Sequence, residues 1–137
     1  MKRWMSLSPR ERRAFVAAFA SQVAIAVALR SLPLSAVRRA LARSSTLTRR
    51  AATAAEDPAL LSLLTWAAGA SGRRLGPVST CLTRTLAVQW LAARRGVVVP
   101  IHIGVRRAGA LDAHAWIGDK ATDDARYAPL ASFEGRP

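Results

Sequence analysis

Two residues of this chain have types and positions that could do chemistry together: Cys81, its only cysteine, and His114. Cys81 sits in Pro77-Val78-Ser79-Thr80-Cys81-Leu82-Thr83-Arg84, where a turn signal runs into an apolar-periodic segment. His114 follows later, in Ala113-His114-Ala115-Trp116. A single cysteine can form neither an internal disulfide nor a multi-cysteine metal site. A thiol at a helix start, with a histidine on a later strand, is the minimum set for thiol acyl transfer. A thiol attacks as its thiolate, and the free N–H groups and dipole of a helix's first turn favour that anion. A neighbouring imidazole supports it and can protonate a leaving amine. The imidazole needs a third group to fix its ring, commonly a carboxylate or amide on an adjacent strand. The same helix start offers N–H donors to the oxyanion of a tetrahedral intermediate. The competing reading is an inert, buried cysteine that packs as a small hydrophobe.

The elements that must position this pair are legible on either side of it. Ser79 or Thr80 caps a helix whose Leu82, Leu86, Trp90 and Leu91 fall at helical spacing, with Arg94 and Arg95 in its last turn and Gly96 as its stop. Val97 to Val105 reads as a strand with Val99, Ile101, Ile103 and Val105 on one face, its start placed at a sheet edge by Pro100. Arg106 to Ala110 forms the turn. In Leu111 to Ile117 the alternation is strict: Leu111, Ala113, Ala115 and Ile117 face one way, Asp112, His114 and Trp116 the other. Gly118-Asp119 then permits a reversal into a short strand around Lys120 to Asp123.

Upstream the pattern is helical. Ser8-Pro9-Arg10-Glu11 carries the signature of a capping box and opens a helix to about Arg30. A second helix follows Pro33 on a stripe of Leu34, Val37, Ala40 and Leu41, and Ser44 to Thr53 is a polar connection. Asp57-Pro58 opens a third, with Leu60, Leu61, Leu63, Leu64 and Trp66. Gly69-Ala70-Ser71-Gly72 ends it, and Arg73 to Pro77 is loop. The fold class expected is α+β in a single domain, 1–137: a mainly helical 1–68, then a cysteine-bearing helix and hairpin strands over 77–130.

Composition bounds the setting. A chain of 137 residues, 51% apolar and 21% charged, is made for folding rather than disorder. With no cysteine pair, nothing points to an oxidising compartment, and the expected location is cytoplasmic. The net charge of +13 comes almost entirely from arginine, Lys2 and Lys120 being the only lysines. Such a surface attracts nucleic acid, anionic lipid or an acidic peptide. The arginine pairs at 38–39, 49–50, 73–74, 94–95 and 106–107 are nevertheless spread out, as on solvated faces. Two histidines, one cysteine and scattered acids give no metal-ligand spacing, so neither a metal nor another cofactor is expected. His102 reads as a packed side chain, Asp112 as a solvated edge that could assist His114, and Trp4, Trp66 and Trp90 as core or anchoring aromatics.

Near the start, Lys2, Arg3, Arg10, Arg12 and Arg13 precede an apolar run from Ala14 to Leu29, which mimics a signal peptide or short span. The run falls short of the roughly 20 residues a span needs, and Ser21 and Gln22 interrupt it. A buried or half-buried helix is the reading taken, with contact of residues 14–29 to membrane or partner left open.

A family resemblance builds on these residues. Cys81-Leu82-Thr83-Arg84-Thr85-Leu86-Ala87, Arg94-Arg95-Gly96, Ile103-Gly104-Val105 and Ala113-His114-Ala115-Trp116 resemble the lasso peptide biosynthesis B2 family. Arg126-Tyr127-Ala128-Pro129-Leu130 and the front segment Leu7 to Arg12 are similar to it too, so the resemblance spans nearly the whole chain. It implies a transglutaminase-like, papain-like core and a cysteine peptidase that removes the leader from a ribosomally made lasso precursor. Cys81 would be the nucleophile and His114 the general base and acid, with Trp116 lining the site. It also implies partners: the precursor peptide, a separate leader-recognition protein of B1 type, and a lasso cyclase, with no nucleic acid. The third catalytic position departs from the family's pattern, because position 126 is arginine and the hairpin is shortened. Counting from Gly118 gives Asp123, a three-residue turn gives Asp124, and counting back from Tyr127 gives Asp119, which would then lie in the turn itself. Asp123 is the residue chosen, since orienting a ring needs an adjacent strand.

Readings of other classes compete. One is a small basic nucleic-acid-binding module, for which no helix-turn-helix pattern, zinc spacing or ribonucleoprotein motif is present. Another is a membrane-associated interaction protein built around Ala14 to Leu29. A transglutaminase-like acyltransferase would keep the fold and change the acceptor from water to an amine.

Overall fold

The computed structural model describes residues 4–46, 57–117 and 127–133, which form four α-helices and one antiparallel sheet. The α+β class holds. The expected strand around Lys120 to Asp123 lies outside the described residues, and with it Asp119, Asp123 and Asp124.

Helix α1 runs from Pro9 to Ser31 and starts as the sequence dictates. Ser8 Oγ accepts from Glu11 N–H at 3.2 Å, and Glu11 returns its carboxylate to Ser8 N–H at 2.7 Å. At 23 residues α1 exceeds the Ala14–Leu29 run and is long and apolar enough to cross a membrane, by length and composition only. It is half-buried. Ala14, Ala18, Ser21, Gln22 and Ile25 face inward, while Val16, Phe19 and Val27 stay exposed. Helix α2, Leu34–Thr46, buries Val37, with Leu34 and Leu41 packed beside the same cluster; Ala40, expected in that stripe, is exposed. Ser44 to Thr46 continue this helix rather than opening the polar connection.

Helix α3 corrects the expected stop at Gly69–Gly72: it runs from Pro58 to Leu75. Ser71 is wholly buried there and donates to Ala67 O at 2.7 Å. Gly72 is where a loop crosses, since a Cβ on it would lie 2.6 Å from Ser79 Oγ. The stop falls instead at Gly76, whose φ of +57° suits a residue without a Cβ.

Helix α4, Cys81–Ala93, is the centre of the molecule. Its Val88, Leu91 and Ala92 pack with Ala14 and Ala18 of α1 and with Leu60, Leu64 and Ala67 of α3. Its Leu86 and Ala87 join a second cluster with Ile25, Val37 and Ile101. Alanine at the crossings lets these helices approach closely, so the helix that carries the cysteine is held on several sides at once.

After α4, Gly96 (φ +80°) turns the chain and Val97 N–H returns to Ala92 O at 3.0 Å. Val97 and Val99 then enter the helical core instead of a sheet, and Val99 O is taken by Gln89 Nε2 at 2.8 Å. Strand β1 therefore starts later than its apolar run suggests, at Ile101, and extends to Ala108. The reason is that Pro100 has no N–H to pair. Strand β2 is Ala110–Ile117 and β3 is Ala128–Phe133. The order β2-β1-β3 makes β1 the central strand, not an edge. The turn expected over Arg106 to Ala110 shrinks to Gly109 alone (φ +82°), because Ala108 already pairs with Ala110.

Candidate active site

Cys81 occupies the first position of α4, directly after the cap. Thr80 is that cap, in a reciprocal box: Thr83 N–H donates to Thr80 Oγ1 at 3.2 Å and Thr80 N–H to Thr83 Oγ1 at 2.8 Å. Arg84 N–H bonds Thr80 O at 3.1 Å. Helix geometry gives the N–H groups of Cys81 and Leu82 no carbonyl partner within α4, the position from which such groups can serve an oxyanion. Thr85 donates its hydroxyl to Cys81 O, tying the peptide of Cys81 into the helix.

Ser79, the other candidate cap, does something else. Its hydroxyl donates to Gln22 Oε1 of α1 at 2.5 Å, and Gln22 Nε2 donates to Ser71 Oγ at 2.8 Å and to Ala68 O at 3.1 Å on α3. Gln22 is wholly buried. One amide thus ties two helices to the turn that delivers Cys81, an arrangement with no signature in the sequence beyond a glutamine within an apolar run.

His114 lies on β2 and shares a cleft of about 790 Å³ with Cys81; Trp116, Trp66, Arg84 and Gly69 also line it. The Cys81 thiol donates a long contact of 4.0 Å to the carbonyl of Ala113, the residue before His114. The separation of helix start and strand in the chain is thereby closed in space. Asp123, Asp119 and Asp124 lie outside the described residues, so no position is given to the third catalytic candidate.

An aromatic group surrounds the His114 ring. Trp116 stacks 6.1 Å from it and Tyr127 lies 5.3 Å away, with His102 on the far side of Trp116 at 5.8 Å. Gly104, directly opposite His114 on β1, makes room for this group. A Cβ there would stand 2.8 Å from Tyr127 Cβ and 2.9 Å from the Trp116 ring. A glycine inside a strand often marks such a close approach. His102 is buried against Trp116, in line with its reading as a packed side chain.

The Asp112 side chain is solvated, as expected of a sheet edge, and is hydrogen-bonded as well. It accepts from Tyr127 Oη at 2.9 Å and from Arg106 Nε at 3.0 Å, and Arg106 also lies over the Tyr127 ring at 4.9 Å. These bonds, that from Tyr127 first, hold its carboxyl below the usual carboxylate range, with the charges of Arg106 and His114 adding to the effect. Asp112 therefore remains ionised beside His114 without bonding its ring. Tyr127 and Arg106 are site neighbours that the sequence does not single out by role, the segment Arg126 to Leu130 being the signal for the first. Among the described residues no group of three or more His, Cys, Asp or Glu is gathered as a metal site.

Chemically, the cleft presents a thiol at a helix N-terminus, the first peptide N–H groups of that helix and an imidazole beside aromatic rings. That is the equipment of cysteine-dependent acyl transfer. Comparison with curated proteins and with solved structures returns no match. A family model described as the transglutaminase-like superfamily matches residues 19–134. The match takes in α4, the sheet and both cleft residues, and with most of the chain covered it shows that the protein belongs to the transglutaminase-like superfamily.

Proposed function

We propose that the protein is a cysteine peptidase that removes the leader from a ribosomally synthesised lasso peptide precursor. The observation that carries the chemical part is the joint lining of one cleft by Cys81 and His114, with the thiol at the start of the buried helix α4. The precursor class rests on the sequence resemblance set out above.

In this mechanism Cys81 gives its proton to His114 and its sulfur attacks the carbonyl carbon at the leader–core junction. The oxyanion takes the N–H groups of Cys81 and Leu82. The tetrahedral intermediate collapses as His114 protonates the core's amine, which leaves, and the leader stays as a thioester. Water, deprotonated by His114, then attacks the thioester carbonyl, and the leader departs with a free carboxylate while the thiol is regenerated. Asp123 is the residue we assign to orienting the His114 ring. A B1-type protein would deliver the leader, a lasso cyclase would consume the freed core amine, and the reaction would take place in the cytoplasm without metal or other cofactor.

Incubation of the protein with a precursor and its recognition partner, read by mass spectrometry, tests this. Loss of the leader by wild type and its retention with Cys81→Ala and His114→Ala are expected. Leader loss that persists in Cys81→Ala would refute the assignment, and an added amine mass would turn it to acyl transfer.

A further inference from the structure

Helix α1 is apolar on both sides, and the fold uses only one of them. Ala14, Ala18, Gln22 and Ile25 face the core. The helical turn puts Val16, Ala20, Val23, Ala24 and Val27 on the opposite side, where no charged residue intervenes between Arg13 and Arg30. Val16 and Val27 are 57% and 59% exposed, whereas a helix apolar all round is ordinarily covered all round. An aromatic row continues this face at the helix start: Trp4 meets Phe15 edge-on at 5.2 Å, and Phe15 stacks with Phe19 at 6.4 Å. The unpaired charges around the face have one sign. Arg10 and Arg13 line a hollow with Arg95 at its start, and Arg30 stands at its end. Glu11 is the one acidic residue before position 56, and its carboxylate accepts from Ser8 N–H. Asp57, in the same hollow, caps α3 by accepting from Leu60 N–H at 2.9 Å.

We infer that the outer face of α1 docks the protein on an anionic lipid surface, with its valines and aromatic row in the acyl boundary and Arg10, Arg13 and Arg30 among the phosphates. Protein interfaces centre on large side chains seated in pockets. This face is instead a convex row of valine and alanine, which a fluid apolar phase covers without any matching shape, and its arginine rim complements lipid phosphate. The helix lies on the surface rather than crossing it because its inner side is held, with Gln22 bonded to Ser71, Ala68 and Ser79. Docked this way, the protein keeps its cleft clear of the lipid. Helix α3 turns Leu60, Leu64 and Ala67 toward α1, and Thr65, Trp66 and Gly69 toward the cleft of Cys81. The inference stands apart from the peptidase reading.

Sedimentation of the full chain with vesicles tests it, comparing phosphatidylcholine alone with an equimolar mixture of phosphatidylcholine and phosphatidylglycerol. Wild type is expected to bind the anionic vesicles about tenfold or more tightly than the neutral ones, and less tightly as salt is raised. Val16→Gln combined with Val27→Gln, both at exposed positions, should keep the melting temperature and lose about tenfold or more in binding, because two apolar side chains no longer leave water. Arg13→Gln should weaken binding about fivefold, the effect of one cation near such a surface. Should the double variant fail to fold, Val27→Gln alone and the two wild-type affinities decide. Equal wild-type affinity for both vesicles, or a folded double variant that binds the anionic ones undiminished, overturns the inference. So does wild type that stays in the supernatant with anionic vesicles. A dimer in size-exclusion chromatography that the double variant abolishes would then assign the face to a second copy, and a recognition protein whose binding the variant abolishes would assign it to that partner.

Discussion

Tyr127 places its ring 5.3 Å from that of His114, while its hydroxyl donates to Asp112 at 2.9 Å. One side chain at the head of β3 therefore touches the catalytic candidate by packing and an ionised carboxylate by hydrogen bonding. The two roles separate on substitution. Tyr127→Phe keeps the ring and loses the bond, and should lower kcat/KM about fivefold, the effect of one net hydrogen bond near 1 kcal/mol. Tyr127→Ala removes the wall beside His114 as well and should cost more. Equal losses in the two variants would show that the ring contributes nothing.

Asp112 supplies a pH dependence of known sign. Its folded-state carboxyl titrates below the ordinary value because Tyr127, then Arg106, bond the ionised form. Its contribution to stability is therefore present above the unfolded-state pKa, near 3.9, and is lost as pH falls through the folded-state value. Urea unfolding of wild type and Asp112→Asn across acid pH should show a gap at pH 6 that closes toward pH 2. A gap that widens on acidification would contradict the bonding described.

These two cases also show what a sequence makes legible. Ser8, Glu11, Asp57 and Pro58 announce helix starts because capping is local chemistry, and the structure places those starts accordingly. Cys81 and His114, which line one cleft, stand out because a thiol at a helix start and a histidine on an alternating strand are each visible in a few residues. The stop of α3 was misplaced because Gly72 answers to Ser79 across a loop, a contact that no local pattern encodes. The start of β1 was misplaced because apolar Val97 and Val99 serve a helical core as well as they would a sheet. Asp112 is solvated as its strand position suggests, while its bonds to Arg106 and Tyr127 are not legible because those partners lie on another strand and at a strand end.

Gly104 tests whether the aromatic group needs its present spacing. Gly104→Ala would put a methyl 2.8 Å from Tyr127 Cβ and 2.9 Å from Trp116, and both of those atoms belong to groups with little freedom to move. Overpacking of this kind costs about 1–3 kcal/mol. Thermal unfolding should register that loss, and kcat/KM should fall further than stability alone requires because the rings displaced are those beside His114. A Gly104→Ala protein with wild-type activity and melting temperature would mean that the sheet yields at no cost.

Gln22 is the most distant residue for which an effect on the thiol is expected. Its buried amide bonds Ser79 at one end and Ser71 and Ala68 at the other, and Ser79 lies two positions before Cys81. Gln22→Met keeps the side chain's approximate length and apolar stem but leaves a hydroxyl and a carbonyl without this partner in a dry interior. A buried group left unsatisfied costs about 1–3 kcal/mol, which chemical denaturation should detect. Reactivity separates a structural prop from a positioning role. If the amide only adds stability, the folded Gln22→Met protein will react with iodoacetamide at the wild-type rate. If it fixes the turn before α4, that rate and its pH profile will both shift while the fold persists, and Gln22→Glu, which retains an acceptor for Ser79 Oγ, should restore part of the reactivity. The second outcome is the one expected, because the turn has Gln22 as its side-chain link to α1 and Cys81 follows it with no residue but Thr80 between.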